Sequence, residues 1–273
     1  MSAKVHTLVL TGFGINCERE TADAFARAGA AVDIRHLNDV IADPSRLTDS
    51  HIFAIPGGFS FGDDIASGRI LANRLRYTLA EPLHQFVGDG KLAIGICNGF
   101  QVMVKMGLLP LFDSEFRQDV TVTYNDRDRF DNRWVNLAVD PQTACVWLRG
   151  VEQFEAPIRH GEGKFVPRDK ATLQRLRENG QVALRYAKRD GSPAGGAFPE
   201  NPNGSVDDIA GICDPSGRIF GLMPHPEAAL DGTSHPTWTR DGLESEGAGL
   251  ALFRNAVAFV QEAVIAQEAA TTR

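Results

Sequence analysis

The sequence predicts an α/β fold: a doubly wound, mostly parallel sheet with an antiparallel section or extension. Three observations predict it. Short apolar runs of strand length alternate with segments of helical periodicity through the first hundred or so residues. One of these runs, Leu92–Ile96, stops at a turn flanked by glycines and passes directly into a helical pattern. The centre of the chain then changes to shorter β-rich segments separated by turn residues.

The first strands are Val5–Leu10, Ala31–His36, His51–Ile55 and Leu92–Ile96, all rich in apolar residues. Helical patterns follow at Glu18–Arg27, within Leu71–Val87 and at Asn98–Met106. Pro82 should break or kink the middle of the second, since it lacks an N–H and its ring clashes with the preceding turn. Val120–Tyr124, Trp134–Val139, Val182–Tyr186 and Ile209–Cys213 read as the shorter strands of the antiparallel section. Asp169–Asn179 is a short helix with Asp169 as its starting cap. The Pro- and Gly-rich stretch Gly191–Ser205 is a loop, too embedded for a domain linker. Leu243–Gln267 is a final amphipathic helix, and 269–273 is expected to fray. No internal repeat interrupts this order. One domain over 1–273 is expected, with a core from about residue 5 to about 265.

Composition excludes several functions. A chain of 273 residues can bury a substantial core. Its net charge of −7, with no basic stripe carrying interleaved aromatics, argues against nonspecific nucleic-acid binding. Cys17, Cys97, Cys145 and Cys213 are scattered without C-x-x-C spacing, which suggests neither a zinc site nor a disulfide framework and fits a reducing compartment. No apolar run reaches the roughly 18 residues of a membrane span, and no signal-peptide pattern opens the chain. A cytoplasmic protein is expected.

The residues that carry chemistry begin at Cys97. In Gly95-Ile96-Cys97-Asn98-Gly99-Phe100-Gln101 a thiol sits at the corner between strand and helix. This is the cysteine counterpart of the Gly-x-Ser-x-Gly nucleophile elbow. Gly95 and Gly99 would let strand and helix approach closely, while Cys97 takes a strained backbone that exposes its sulfur. A helix N-terminus beside the sulfur favours the thiolate. The plainer alternative is a small buried cysteine at a strand end.

A nucleophilic thiol needs a base, and the base needs an orienting group. Pro224-His225-Pro226-Glu227 supplies both. The prolines disfavour helix at Met223 and His225, so an extended segment is expected, with His225 and Glu227 on one face. Glu227 could then bond one imidazole nitrogen while the other faces the thiol. The alternative is a loop histidine and a solvated carboxylate.

Together these motifs resemble the class I, triad-type glutamine amidotransferases. Further segments are similar to one family within that class, the glutaminase subunits of phosphoribosylformylglycinamidine synthase. Pro56-Gly57-Gly58-Phe59-Ser60-Phe61-Gly62-Asp63-Asp64 resembles its oxyanion loop, and Gly12-Phe13-Gly14-Ile15-Asn16-Cys17-Glu18 its N-terminal Gly-x-Asn-Cys loop. Asn125, Arg129, Phe130 and Trp134 fit its Asn-x-x-x-Arg-Phe segment. His160-Gly161-Glu162-Gly163-Lys164-Phe165 and Asn201-Pro202-Asn203-Gly204-Ser205 complete the match, which runs from about Val5 to Val260. Ile15 and Asp126 depart from it, standing where a small polar residue and Ser are common.

The resemblance implies a flavodoxin-like α/β/α domain with its site at the strand C-termini. It implies Cys97 as nucleophile on the glutamine carboxamide, His225 as base and then acid, and Glu227 as orienter. The backbone N–H groups of Gly58 and Asn98 would bind the oxyanion. Gln101 would help hold the substrate, although by position it could equally be an exposed first-turn helix residue. No Gly-x-x-x-x-Gly-Lys-Ser/Thr or kinase-like glycine loop is present, so no cofactor or metal is expected on this chain. ATP and Mg²⁺ are expected on a separate synthetase subunit that converts formylglycinamide ribonucleotide to formylglycinamidine ribonucleotide, often with a small third subunit. Gly191–Ser205 and Gly62–Arg69 are candidate docking surfaces. Alternatives are the glutaminase of another amidotransferase, a cysteine hydrolase or peptidase on the same fold, and a non-catalytic glutamine-binding regulatory subunit. The Pro-Gly-Gly loop, Gln101 and the His-x-Glu spacing together speak against the peptidase, and the intact Cys97, His225 and Glu227 against the regulatory subunit.

Overall fold

Runs of apolar and β-branched residues build the strands, which are β1 (His6–Thr11), β2 (Ala31–His36), β3 (Ile52–Ile55), β4 (Leu92–Ile96), β5 (Val120–Thr123), β6 (Asp131–Val139), β7 (Gln153–His160), β8 (Lys164–Pro167), β9 (Val182–Ala187), β10 (Ile209–Cys213) and β11 (Ile219–Leu222). The computed structural model describes residues 4–113, 115–242 and 246–271. Among these, nine strands form one sheet in the order β2-β1-β3-β4-β11-β10-β9-β6-β7. From β2 to β11 every neighbouring pair is parallel, and from β11 to β7 every pair is antiparallel. The doubly wound sheet with an antiparallel extension is therefore present. β3 and β4 are buried along their whole length, which is why they read as unbroken apolar runs.

Three details of the strand prediction differ, and the first is that β11, parallel to β4 in the middle of the sheet, was not among the expected strands. Val120–Thr123 pairs with Lys164–Pro167 as a separate two-stranded ribbon outside the extension. β7 was not legible because Glu155, Pro157 and Arg159 interrupt its apolar pattern. It pairs only with β6 at the sheet edge, where a proline is tolerated.

The helices are α1 (Glu18–Arg27), α2 (Leu37–Ala42), α3 (Ser45–Thr48), α4 (Arg69–Thr78), α5 (Ala80–Gly88), α6 (Asn98–Met106), α7 (Lys170–Glu178), α8 (Trp238–Asp241) and α9 (Leu250–Thr271). The break expected at Pro82 falls at Leu79, which has φ −125° and ψ 20°. Pro82 lies in the first turn of α5, where a missing N–H leaves no helix bond unmade. Asp169 caps α7 as predicted, accepting the Thr172 N–H at 2.7 Å. The last helix starts at Leu250 instead of Leu243; residues 243–245 lie outside the described ones. Just before it, Gly249 passes so close to the 226–229 turn that a Cβ there would sit 2.0 Å from the Pro226 carbonyl oxygen. The helix extends to Thr271, into the tail expected to fray, with 272–273 outside the described residues.

The two sheet faces show at β11. Phe220 meets Trp147 at 6.5 Å on the side of α1 and α9, where Phe25 also packs edge-on to Phe253 at 4.9 Å. Its neighbour Gly221 backs onto Phe100 of α6, and a Cβ there would lie 2.2 Å from that ring. Gly191–Ser205 is only half a surface loop. Asn201, Asn203 and Ser205 are buried. Asn201 bonds Asp208, and Asn203 bonds the Gly163 carbonyl and the Tyr186 hydroxyl. The Asn201–Ser205 motif is thus internal scaffold.

Candidate active site

The site stands where the parallel strands end. β4 runs into Cys97, and α6 starts one residue later. Cys97 has φ 51° and ψ −106°, a strained conformation for a residue with a Cβ. Packing imposes it. A Cβ at Gly99 would lie 1.8 Å from the Ile55 carbonyl oxygen, and one at Gly95 would lie 2.7 Å from the Gly99 carbonyl. The Cys97 N–H donates to the Leu222 carbonyl at 2.8 Å, stitching the elbow to β11. The thiol is buried at the N-terminus of α6, 3.8 Å from the Arg159 carbonyl at the end of β7.

His225 and Glu227 meet as expected but by a different route. Pro226–Ala228 is a single 3₁₀ turn with Pro226 in its first position, so turn curvature instead of strand alternation brings the side chains together. His225 Nδ1 lies 2.6 Å from Glu227 Oε1, both residues buried. The His225 N–H donates to the Pro157 carbonyl at 2.8 Å and ties this residue to β7. Burial opposes charge on this ring, but the Glu227 carboxylate and the neighbouring Cys97 and Cys17 sulfurs outweigh it and hold its pKa well above the usual histidine range. His225 Nε2 has no hydrogen-bond partner among the described residues.

The loop after β3 is braced by the N-terminal glycine motif. Phe59 N–H donates to Gly14 O at 2.8 Å and Phe61 N–H to Phe13 O at 2.7 Å. Gly14 must be glycine here, since a Cβ would fall 2.0 Å from the Phe59 carbonyl oxygen. The Gly58 N–H has no acceptor among the described residues. The Asn98 N–H opens α6 and has no intrahelical partner. Both donors are free for an oxyanion. Beyond them Phe61, Gly62 and Asp63 all have positive φ.

Polar side chains pin this strained loop. Asn98 Oδ1 accepts the Ser60 N–H, and Asn98 Nδ2 donates to Asp63 and Gln101. Asp63 accepts from the Gly68 N–H and the Ser67 hydroxyl, and burial raises its pKa against those bonds. Gln101 is not the exposed first-turn residue that its position allowed. It is buried, and its Nε2 donates to the Glu162 carbonyl. Together Phe59, Asp63, Ser67, Tyr124, Arg129 and Glu162 line a cleft of about 450 Å³. Of Gly62–Arg69, Asp63 and Ser67 face this cleft, while Ile65 is exposed.

Three site features were not legible in advance. Asp63 shares the cleft wall with Glu162. His160 is buried near His225, its Nδ1 bonded to Asn125 Oδ1 and its Nε2 without a partner among the described residues; burial first, then His225, pushes its pKa down to about 3. Cys17, noticed only as part of a glycine-rich motif, lies at the triad. Its Sγ, a ring nitrogen of His225 and a carboxylate oxygen of Glu227 are all within 4.8 Å of one another. Conversely, Trp134 stands apart from the site, edge-on to His235 at 4.6 Å in a cleft with Glu155.

A doubly wound sheet with a cysteine elbow, two free N–H donors and a buried His–Glu pair defines an amidotransferase-type thiol site. The family model of the CobB/CobQ-like glutamine amidotransferase domain matches residues 4–260. The curated phosphoribosylformylglycinamidine synthase subunit PurQ of Dehalococcoides mccartyi is 44% identical over 95% of this chain and 99% of its own. That of Methanococcus maripaludis is 46% identical over 85% of each. Among solved structures, PurLQS from Thermotoga maritima matches with TM-score 0.68 and 29% identity over 94% of this chain and 100% of the other. The chain belongs to the glutamine amidotransferase family, in the branch of phosphoribosylformylglycinamidine synthase subunit PurQ.

Proposed function

We propose that this chain is the glutaminase subunit of phosphoribosylformylglycinamidine synthase. It hydrolyses glutamine to glutamate and ammonia and passes the ammonia to a separate synthetase subunit. The observation that carries the reading is the strained Cys97 elbow beside a buried His225–Glu227 pair 2.6 Å apart, in a chain of this family.

Cys97 Sγ, as thiolate, attacks the side-chain carboxamide carbon of glutamine. The oxyanion forms against the N–H groups of Gly58 and Asn98. His225 Nε2 gives its proton to the leaving nitrogen, and the C–N bond breaks to release ammonia and a glutamyl thioester. His225 then takes a proton from water, whose oxygen attacks the thioester carbonyl. Glutamate leaves and the thiolate returns. Glu227 fixes the tautomer and stabilises the imidazolium. In the cleft, Arg129 suits the α-carboxylate of the substrate, and the carboxylates of Asp63 and Glu162 suit its α-ammonium. Gln101 acts by holding Glu162 and Asn98 in place.

ATP, Mg²⁺ and formylglycinamide ribonucleotide bind the synthetase subunit, and the name PurLQS of the matched structure supports that subunit and a small third one as partners. No helix among the described residues is long and apolar enough to cross a membrane, which is compatible with a cytoplasmic complex. The test is Cys97→Ser assembled with the synthetase. Synthesis from glutamine should vanish while synthesis from added ammonium salt persists. A glutamine analogue with an electrophile at the carboxamide position should label Cys97 alone; labelling elsewhere with Cys97 untouched would sink the assignment.

A further inference from the structure

Cys17 has no role in the chemistry just described, yet folding brings it from the start of α1 to the base of the triad. We propose that Cys17, His225 and Glu227 form an inhibitory site for a thiophilic divalent cation, Zn²⁺ by its chemistry, built across the His–Glu pair. The inhibitory part rests on the glutaminase reading above; the binding part does not.

The donor set is one sulfur, one imidazole nitrogen and one carboxylate oxygen, all within 4.8 Å of one another. Such a mixture suits Zn²⁺ or Cd²⁺ and is wrong for Mg²⁺ or Ca²⁺, which take oxygen ligands. With bonds of about 2.0–2.3 Å, tetrahedral ligands stand roughly 3.3–3.8 Å apart, so the sulfur closes by about 1 Å while Nδ1 and Oε1, now 2.6 Å apart, open slightly when both ligate. Side-chain rotation of Cys17 can supply the closure.

The site also has unused ligand capacity. Glu227 Oε2 and His225 Nε2 are both buried without a hydrogen-bond partner among the described residues. Buried polar atoms are seldom left so, and here two belong to one ion pair. Cys17 Sγ makes one short hydrogen bond among the described residues, to the adjacent Asn16 Oδ1 at 3.2 Å, and otherwise faces the His225 ring. Gly57 keeps sulfur and ring in reach of each other. A Cβ there would stand 2.8 Å from His225 Cε1 and 3.3 Å from Cys17 Sγ. Cys17 is half-buried where His225 and Glu227 are fully buried, so the ion enters from the Cys17 side.

Binding displaces the Cys17 thiol proton, and the proton between His225 Nδ1 and Glu227 when that nitrogen is the ligand; both go to solvent. The metal takes their place, and the imidazole can no longer relay a proton to the substrate. Cys97 is not a ligand in this arrangement. That separates it from ordinary capture of a metal by a nucleophilic thiol.

The probes are Zn²⁺ and Cd²⁺ added to the full chain, alone and assembled with the synthetase. Binding is read by equilibrium dialysis and by cadmium–thiolate charge-transfer absorption, and inhibition by glutamate release. One equivalent should bind, with the absorption band kept in Cys97→Ser and lost in Cys17→Ala. Zn²⁺ affinity should fall at least tenfold in Cys17→Ala and in Cys17→Ser, the second variant keeping the side-chain volume should the first misfold. Chelation should restore activity to the unmodified chain. A band that survives in both Cys17 variants and disappears in Cys97→Ser would overturn the site, as would absence of binding to folded Cys97→Ser chain. Labelling of Cys97 by the glutamine analogue, run in parallel on unmodified chain, reads the glutaminase assignment separately.

Discussion

The side-chain oxygen of Asn98 accepts the backbone N–H of Ser60 at 3.1 Å, so the residue that opens the elbow helix also holds the loop facing it. Asn98→Ala leaves a buried N–H unpaired and frees a loop with three consecutive positive-φ residues. Misplaced donors harm the transition state more than the ground state. We expect kcat for glutamine hydrolysis to fall roughly 10- to 100-fold with KM changed much less. Steady-state kinetics on the assembled enzyme decides, and an unchanged kcat would remove the side chain from the account.

His225→Ala should cost more than Glu227→Gln. The first removes the proton carrier; the second leaves it in place but without its orienting charge. By the behaviour of catalytic triads, the histidine variant should lose on the order of 10³-fold or more. Wild-type rates in either would mean that the triad is wrongly drawn.

Gly99→Ala should destabilise the fold by roughly 1–3 kcal/mol, because a Cβ meets backbone that cannot yield cheaply. The nearest atom, the Ile55 carbonyl oxygen, would be 1.8 Å away. Gly88→Ala at the end of α5 is the control. Nothing lies within 4 Å of its Cβ position, and the change should be neutral or slightly stabilising. Urea titrations of both variants would read the contrast.

His160 should make the protein acid-sensitive. In the unfolded chain its ring takes a proton near pH 6.5, and in the folded protein only near pH 3. Between these values the unfolded state binds the extra proton, so stability rises with pH. The contribution is complete above 6.5 and is lost as the pH falls toward 3. His160→Gln keeps a polar side chain without that titration. Its stability should depend less steeply on pH across this window, measured as denaturation midpoints from pH 7 to 4; an unchanged slope would count against a neutral buried imidazole.

The elbow was readable because its physics is local: glycines two residues either side of Cys97, an apolar run before it and helical spacing after it. The parallel strands β1 to β4 were readable for the same reason, being continuous apolar runs, whereas β11, only four residues long and interrupted by Gly221, was not. What was not readable depends on distant partners. Pro157 hid an edge strand whose backbone carries the base. Cys17 gave no sign of its neighbours, since the loop after β1 and the turn after β11 meet only across Gly57 in the loop after β3, which lies against both Cys17 and His225. Position alone left Gln101 open between a substrate-holding and an exposed helix residue, because nothing in its own segment announces Glu162. The His225–Glu227 contact was anticipated for the wrong local geometry, because a proline can start a 3₁₀ turn as readily as it prolongs an extended chain.

The contact of Gly99 with the Ile55 carbonyl has a consequence for inhibitor chemistry. It welds the sulfur's turn to the end of β3, so the warhead's target keeps one geometry whatever the surrounding loop does. The loop from Phe59 to Asp63 is packed as closely only at its first residue, against Gly14; beyond it the loop is held by side-chain hydrogen bonds and a backbone brace. An electrophile that recognises only Cys97 will therefore read the presence of the fold, whereas a reversible compound seated on Phe59 and Asp63 will read the state of the loop. Compounds of the two kinds should respond differently to Asn98→Ala, which frees the loop and leaves the elbow packing in place, so a single steric clash becomes a basis for selectivity.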